Sequence, residues 1–277
     1  MTHDKIPLAG VIGAPVAHSR SPLLHQHWLS MLDLPGYYIP MHVEPMDLET
    51  ALRNLPKLGF VGVNITVPHK EQALQLADHV SDQARRIGAA NTLTYGPDGE
   101  VHADNTDAYG FDRNLRQHAP DWDPAHGPAV IFGAGGAARA VIVALLDAGV
   151  PQIRITNRTR SRAEALKQQF GDRLTVVDWD QADEALEGAA TVVNTTSLGM
   201  TGHPPWRVPL DRLHPDAVVT DIVYAPLETP LLSAARAKGC QCVDGLGMLL
   251  HQGVPGFERW FGMRPEVDSA TRAAVLR

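Results

Sequence analysis

The segment P-A-V-I-F-G-A-G-G-A-A, residues 128–138, constrains this chain more than any other stretch. The apolar run Ala129–Phe132 predicts a short buried strand. It stops at Gly133, and Ala134, Gly135, Gly136, Ala137 and Ala138 lead into an apolar stretch that predicts a helix to residue 148. A strand that becomes a helix through G-x-G-x-x-A suits a dinucleotide. Gly133 permits the tight turn, Gly135 lets backbone approach a pyrophosphate, and Ala138 lets the helix lie close on the strand. The helix N-terminus would then offer free N–H groups and a positive dipole end to phosphate. A ligand-free glycine corner has the same spelling, so the next strand matters.

Gly149 and Pro151 stop the helix, and residues 152–156 predict a second strand that ends in Asn157-Arg158-Thr159. In this arrangement the end of the second strand meets the adenosine ribose. An acid there accepts from a free 2′-hydroxyl, whereas arginine accommodates a 2′-phosphate. No Asp or Glu stands at that place; Arg158 does, with Arg162 one turn later. The planar guanidinium fork suits phosphate, so the pattern favours NADP over NAD. The plainer reading makes both arginines the solvated start of a helix, capped by a box of Ser161 and Glu164.

At 277 residues the chain can form one large or two ordinary domains, and 44% hydrophobic with 20% charged residues is a globular composition. A formal net charge of −7 and the lack of an extended basic face argue against a nucleic-acid partner. Cys240 and Cys242 are awkwardly spaced for a mutual disulfide and lack a second pair for zinc, so both are expected to be small buried apolar groups. The N-terminal M-T-H-D-K-I-P-L-A-G lacks the apolar core and cleavage site of a secretory signal, and no apolar run nears membrane-spanning length. A cytoplasmic protein without a membrane partner is expected.

Along the chain, strands are predicted at residues 8–12, 37–43 and 60–67, with helices at 21–34, 46–58, 70–79 and 81–87. Ser21 is read as the cap of the first helix, with Pro22 at its first position. Residues 90–95 and 100–103 predict a hairpin across Gly96-Pro97-Asp98-Gly99. A helix over 108–118 leads into a connection, P-D-W-D-P-A-H-G-P. Beyond the glycine corner, strands near Leu174, Ala190, Ala217 and Gln241 alternate with helices, the pattern of a parallel sheet covered on both faces. After Gly245 the chain turns helical and is expected to rejoin the first domain. The expected fold is α/β: two α/β domains flanking a cleft, the C-terminal one a Rossmann-type doubly wound parallel sheet. The division places residues 1–106 and 245–277 in a substrate-binding domain and 107–244 in a cofactor domain.

Four clusters place polar residues where elements turn or end: H-S-R-S-P at 18–22, N-I-T-V-P-H-K at 64–70, Asn91-Thr92, and D-N-T-D at 104–107. If the sheet is parallel near Thr66, they lie at strand ends, where open α/β sheets take ligands. Each also has an ordinary reading as cap, turn or solvated first-turn residue.

These clusters, with A-A-N-T-L, G-A-G-G-A-A, T-N-R-T, N-T-T-S, D-I-V-Y and D-G-L-G-M-L, resemble the shikimate dehydrogenases in order and spacing, from about Val11 to Gln252. The resemblance implies reversible NADPH-dependent reduction of 3-dehydroshikimate to shikimate, in the route to chorismate and the aromatic amino acids. It implies Lys70 and Asp107 as the catalytic pair. Ser19 and Ser21, helped by Tyr224, would hold the substrate carboxylate, and Thr66, Asn91, Asp107 and Gln252 the ring hydroxyls. Gly133, Ala134, Gly135, Gly136 and Ala137 would hold the pyrophosphate, and Asn157, Arg158, Thr159 and Arg162 the 2′-phosphate. Ile222, Gly245 and Met248 would line the nicotinamide, with Asp82 in the cofactor's neighbourhood. No metal is implied, and the assembly is expected to be a monomer or homodimer. One departure is His69, where many relatives carry an aromatic such as Phe.

The chemistry agrees with those roles. Hydride addition to a ketone leaves negative charge on oxygen, which an ammonium group held by a carboxylate can meet. Two other readings are a quinate or quinate/shikimate dehydrogenase using NAD, and a non-catalytic NADP-binding regulatory protein. Arg158 argues against the first, as does Ser at both 19 and 21, since quinate-preferring relatives often carry Thr at one. A pure binder would need neither Lys70 nor Asp107.

Overall fold

The computed structural model describes residues 5–277. Residues 1–4, which begin the segment read above for a secretory signal, lie outside the described residues. The chain forms two compact units: the first runs to Gly110 and resumes over Leu249–Arg277, and the second is Phe111–Met248. Both passages from one unit to the other run through the first turns of helices.

The first unit contains, in chain order, β1 (Leu8–Gly13), α1 (Ser21–Met31), β2 (Tyr37–His42), α2 (Leu48–Asn54), β3 (Phe60–Ile65), α3 (Lys70–Leu76), β4 (His79–Val80), α4 (Asp82–Ile87), β5 (Thr92–Tyr95) and β6 (Val101–Asp104). Helix α5 (Asp107–His118) carries the chain into the second unit, where β7 (Ala129–Phe132), α6 (Gly136–Ala148), β8 (Ile153–Thr156), α7 (Arg160–Phe170), β9 (Leu174–Val177), β10 (Thr191–Asn194), β11 (Val218–Asp221), α8 (Pro230–Ala237) and β12 (Gln241–Val243) follow. Helix α9 (Leu246–Phe261) returns to the first unit, which ends in α10 (Ser269–Val275).

The first sheet has the order β2-β1-β3-β5-β6-β4. β1 runs parallel to β2 and β3, whereas β5 is antiparallel to β3 and to β6. The register pairs Ile12 with Ile65, Asn64 with Thr92, and Thr92 with Asp104. One rim of the sheet therefore collects the ends of β1, β3 and β6 and the start of β5. Side chains alternate across the strands: Ile12, Val63 and Leu93 pack with Leu48 and Leu52 of α2, while Ala9 and Val11 pack with Tyr38 and Trp260. Gly62 is required here, because a Cβ would stand 1.9 Å from Trp260 Nε1, which donates to Leu93 O at 3.1 Å. That contact seats α9 on the sheet.

The second sheet, β12-β11-β10-β7-β8-β9, is parallel throughout. Every residue of β7, β10 and β11 is buried, as strands covered on both faces must be. The strand order, with β7 as the first strand, is the doubly wound one. Helix α6 is buried at Ala138 and from Ala140 to Leu146, more than a full turn of its circumference, and closes at Gly149, whose φ of 101° is left-handed. At the ends of β10 and β11, Asp221 accepts from Asn194 Nδ2 at 3.0 Å, Val223 N at 2.9 Å and Thr229 Oγ1 at 2.8 Å. This ties N-T-T-S to D-I-V-Y. Burial raises the Asp221 carboxyl to about 6 despite those three donors.

Several local expectations are corrected. Ser21 is the first residue of α1 and not its cap; Arg20 holds the cap position without a side-chain bond, and Ser19 Oγ instead accepts from Ser21 N at 3.3 Å. The box of Ser161 and Glu164 does not form, because α7 starts at Arg160 after Thr159, and Glu164 is engaged by Arg160 at 2.8 Å. The helix expected over 46–58 is three pieces: 3₁₀ turns at Pro45–Asp47 and Leu55–Leu58 flank α2, since Pro56 supplies no N–H to continue it. The helix expected over 70–79 ends at Leu76, where Ala77 turns extended so that His79–Val80 can pair with β6. Of the two cysteines, Cys240 is buried as expected, but Cys242 is only half-buried; both are free.

His25 on α1 is fully buried among rings. It stacks on Tyr38 at 4.0 Å and 5°, meets Trp28 edge-on at 5.4 Å, and neither ring nitrogen has a hydrogen-bond partner. Burial lowers its pKa to about 3, so it folds as the neutral ring. The sign follows: the unfolded imidazole takes a proton below 6.5 and the folded one does not, so stability present above 6.5 is lost as pH falls toward 3. His25→Phe is expected to remove roughly 2–3 kcal/mol of the stability difference between about pH 6.5 and pH 4.5. Urea midpoints of both chains at the two pH values check this; equal acid sensitivity would refute it.

No described helix is long and apolar enough to cross a membrane.

Candidate active site

The rim of the first sheet brings together four of the sequence-selected residues. Lys70, first residue of α3, directs Nζ to Asp107 Oδ2 at 2.5 Å. Asp107 opens α5 and its side chain is 8% exposed, against 21% for Lys70. Asn91 Nδ2 lies 2.8 Å from Asp107 Oδ1 and 3.1 Å from Gln252 Oε1. The ammonium is thus held on one carboxylate oxygen while the other is occupied by an amide donor. That fixes the couple in place.

The local backbone explains this placement. Ala90 N donates to Lys70 O at 2.8 Å, and Asn91 N donates to Asp104 O at 3.1 Å. Asn91 Oδ1 accepts from Thr106 N at 2.8 Å, and Asn105 Oδ1 accepts from Asp107 N at 3.0 Å. Asn105 Nδ2 is itself spent on Ala89 O at 2.8 Å. A-A-N-T and D-N-T-D are therefore one hydrogen-bonded assembly spanning two strand ends.

The network continues to residues not singled out from the sequence. Asn64 Nδ2 donates to Asn91 O at 3.1 Å and lies 3.2 Å from Thr92 Oγ1, and Tyr38 donates to Asn64 Oδ1 at 2.6 Å. Burial holds the Tyr38 phenol well above its ordinary value, so it acts as a neutral donor. Asn64, Asn105 and Thr106 stand inside quoted motifs, a signal that could have found them; Tyr38 carries none. Ser19 and Ser21 follow β1, and Thr66 follows β3 with its N–H on Ile12 O at 2.9 Å, so all three belong to the same rim. Tyr224 belongs to the second unit, on the segment after β11. His69 is buried with Nε2 2.8 Å from Val43 O, a structural use that does not involve Lys70.

In the second unit, Gly133 has φ 107° and a Cβ there would stand 2.6 Å from Thr195 Oγ1. Its glycine is a packing requirement. At Gly135 and Gly136 a Cβ would meet nothing within 4 Å, and neither has positive φ, so the chain's own packing gives no reason for glycine there. Gly135 caps α6 without a side-chain bond. An open, side-chain-free helix start fits a pyrophosphate. Past β8, Asn157 Nδ2 donates to Thr159 O at 2.9 Å. Arg160 is paired with Asp178 and Glu164, whereas exposed Arg158 and Arg162 have no side-chain partner among the described residues. Two unneutralised guanidinium groups at that turn fit a 2′-phosphate. Gly245 is needed for packing, since a Cβ would stand 2.3 Å from Ile222 O; this sets Ile222 and Gly245 side by side, with Met248 buried on the following turn. Asp82 is exposed in the first turn of α4, where the helix dipole alone favours an acid. Among the described residues no group of three His, Cys, Asp or Glu could hold a metal ion.

This geometry agrees with the chain's likeness to known proteins. Residues 11–93 match the model of the shikimate dehydrogenase substrate binding domain, 118–200 that of shikimate / quinate 5-dehydrogenase, and 245–275 that of the shikimate 5'-dehydrogenase C-terminal domain. The shikimate dehydrogenase (NADP(+)) of Roseobacter denitrificans is 63% identical over 276 residues, 100% of each chain. Shikimate 5-dehydrogenase from Thermus thermophilus, solved with NADP(H) and shikimate, is 38% identical with a TM-score of 0.86, covering 97% of this chain and 98% of that one. Quinate dehydrogenase from Corynebacterium glutamicum with NAD is 35% identical with a TM-score of 0.91, covering 99% of each. Fold likeness therefore extends to both substrate preferences, while the full-length identity, the family models and the residues on the rim agree on one line of descent: the chain belongs to the shikimate dehydrogenase family.

Proposed function

We infer that this chain is an NADP-dependent shikimate dehydrogenase, reversibly reducing 3-dehydroshikimate to shikimate on the route to chorismate and the aromatic amino acids. The observation that carries the reading is the Lys70–Asp107 couple at 2.5 Å, braced by Asn91 at the rim of the first sheet.

NADPH, when bound, supplies the hydride. Reduction of the carbonyl carbon would leave negative charge on its oxygen. Lys70 Nζ would meet that oxygen as charge grows and give it a proton, becoming a neutral amine, while Asp107 holds the lysine in line. In the reverse direction Lys70 takes the hydroxyl proton, so acid and base are the same pair. A preorganised donor of this kind contributes about 3 kcal/mol to the transition state.

Ser19 and Ser21, with Tyr224, would hold the substrate carboxylate, and the bond from Ser21 N to Ser19 Oγ at 3.3 Å supports a fixed hydroxyl there. Thr66, Asn91, Asp107 and Gln252 would hold the ring hydroxyls. A pocket of amide and hydroxyl groups rejects an analogue lacking a hydroxyl more strongly than an apolar pocket can. Residues 133–137 would bind the pyrophosphate, Asn157, Arg158, Thr159 and Arg162 the 2′-phosphate, and Ile222, Gly245 and Met248 the nicotinamide; Asp82 is assigned only to the cofactor's surroundings. The protein would work in the cytoplasm as a monomer or homodimer.

Mixing the chain with shikimate and NADP is expected to raise the absorbance of reduced nicotinamide, faster than any pairing with quinate or NAD. Quinate with NAD outrunning it would overturn the choice of substrate and cofactor.

A further inference from the structure

Residues 195–217, between β10 and β11, contain neither helix nor strand, yet the middle of this segment is pinned. Trp206 donates its indole N–H to Val208 O at 2.9 Å and sets its ring edge-on to Phe132 of β7, with centroids 4.8 Å apart. Arg207 sits between these anchored residues. It is exposed and has no hydrogen-bond or ion-pair partner among the described residues.

Arg207 and Arg158 line one cavity of about 490 Å³, with Trp179, Asp180, Leu198 and Pro204 among its other walls. The cavity joins the segments that follow β8, β9 and β10, all at the carboxyl end of the parallel sheet, where such sheets take ligands. Its chemistry is divided. Trp179, Leu198 and Pro204 offer flat apolar surface, and the two guanidinium groups offer charge.

Neighbouring arginines are already committed. Arg160 is held by Asp178 and Glu164, Arg212 by Asp183 and Glu187, and Arg154 donates to the carbonyls of Ala185 and Glu187. Asp183, which also lines the cavity, is thereby partly neutralised; Asp180 is the one carboxylate of the lining without a partner among the described residues. The cavity retains two free cations against one free anion, on anchored backbone.

We propose that Arg207 is a specificity-determining residue for the cofactor, sharing the adenosine 2′-phosphate with Arg158 across this cavity while the apolar wall takes the adenine. The inference rests on the NADP reading and adds a residue from a different segment to it. Two guanidinium groups on separate segments can approach one phosphate from two directions, each through charge-assisted hydrogen bonds. Arg207 would then report on the 2′-phosphate alone and not on the rest of the nucleotide.

The test is calorimetric titration of the full chain and of Arg207→Ala and Arg158→Ala with adenosine 2′,5′-bisphosphate and with adenosine 5′-monophosphate. NADP and NAD kinetics with shikimate accompany it. Arg207→Ala is expected to weaken the bisphosphate by roughly tenfold and leave the monophosphate unmoved, with KM for NADP rising by a similar factor. If Arg207→Ala binds the bisphosphate as the unaltered chain does while Arg158→Ala is weakened, the inference fails and the NADP reading stands. Equal weakening of both ligands would make Arg207 a support of the cavity and also overturn the inference. If the unaltered chain binds the bisphosphate no better than the monophosphate, the NADP reading itself fails.

Discussion

Lys70→Met is expected to lower the turnover of shikimate and NADP by about a thousandfold while NADP binding changes less than about twofold. Methionine keeps the length and apolar stem of the lysine but brings no proton and no charge to the oxygen where the alkoxide forms. Loss of one preorganised donor of this kind removes about 3–4 kcal/mol of transition-state stabilisation. The residues proposed to hold the cofactor, Asp82 apart, lie in the other unit, at the β7–α6 corner, after β8 into α7, and at Ile222, Gly245 and Met248, so the change does not touch them. Asp107 keeps Asn91 as a donor to Oδ1 but loses its counter-ion at Oδ2, so a thermal melt must accompany the kinetics. Steady-state rates with NADP titrated by fluorescence quenching are the measurement. Turnover within about tenfold of the unaltered chain in a folded variant would remove the proposed mechanism.

Asn91→Ala is expected to destabilise the first unit by about 2–4 kcal/mol and to weaken shikimate binding as well. The side chain is 2% exposed and is the only one that touches Thr106 N, Asp107 Oδ1 and Gln252 Oε1 together among the described contacts. Truncation leaves a buried N–H and part of a buried carboxylate without partners, and unmade bonds of this kind are more damaging than the net worth of a made one. The paired amide groups of Asn105 and Gln252 remain bonded to Ala89 O and Leu249 O, so the strand ends stay in place and the damage is confined to the centre of the network. Urea unfolding of the variant should show the lowered midpoint, and a loss below about 1 kcal/mol would contradict this account of the rim.

Much of this was legible in the chain because it is local. β7 and the glycine corner follow from an apolar run and a cluster of small residues, and the turn after β8 shows its two free arginines within a few residues of each other. Lys70 and Asp107 stood out because each closes a strand into a helix. What stayed hidden is what depends on register. Tyr38 reaches Asn64 only because β1 and β3 pair in parallel beside β2, and Asn64 reaches Thr92 only because β5 runs backward against β3. His25 carried no signal in the sequence; beside Trp28 of its own helix, its box of rings comes from β2 and α9, remote in sequence. The two misplaced caps have a local cause. A serine near a helix start satisfies the same pattern whether it stands at the cap or, like Ser21 and Ser161, one or two residues inside, and Ser19 and Arg160 decide the matter in three dimensions.

Reversal of direction at β5 has a practical corollary. The proposed chemistry occupies one border of the first sheet, and the Gly96–Gly99 bend closes the hairpin at the far border, beyond the Tyr95–Val101 pair. Peptides grafted into that bend should leave turnover untouched, whereas lengthening β5 by a single residue ahead of Thr92 would rotate every following side chain to the wrong surface and withdraw Asn91 from its carboxylate.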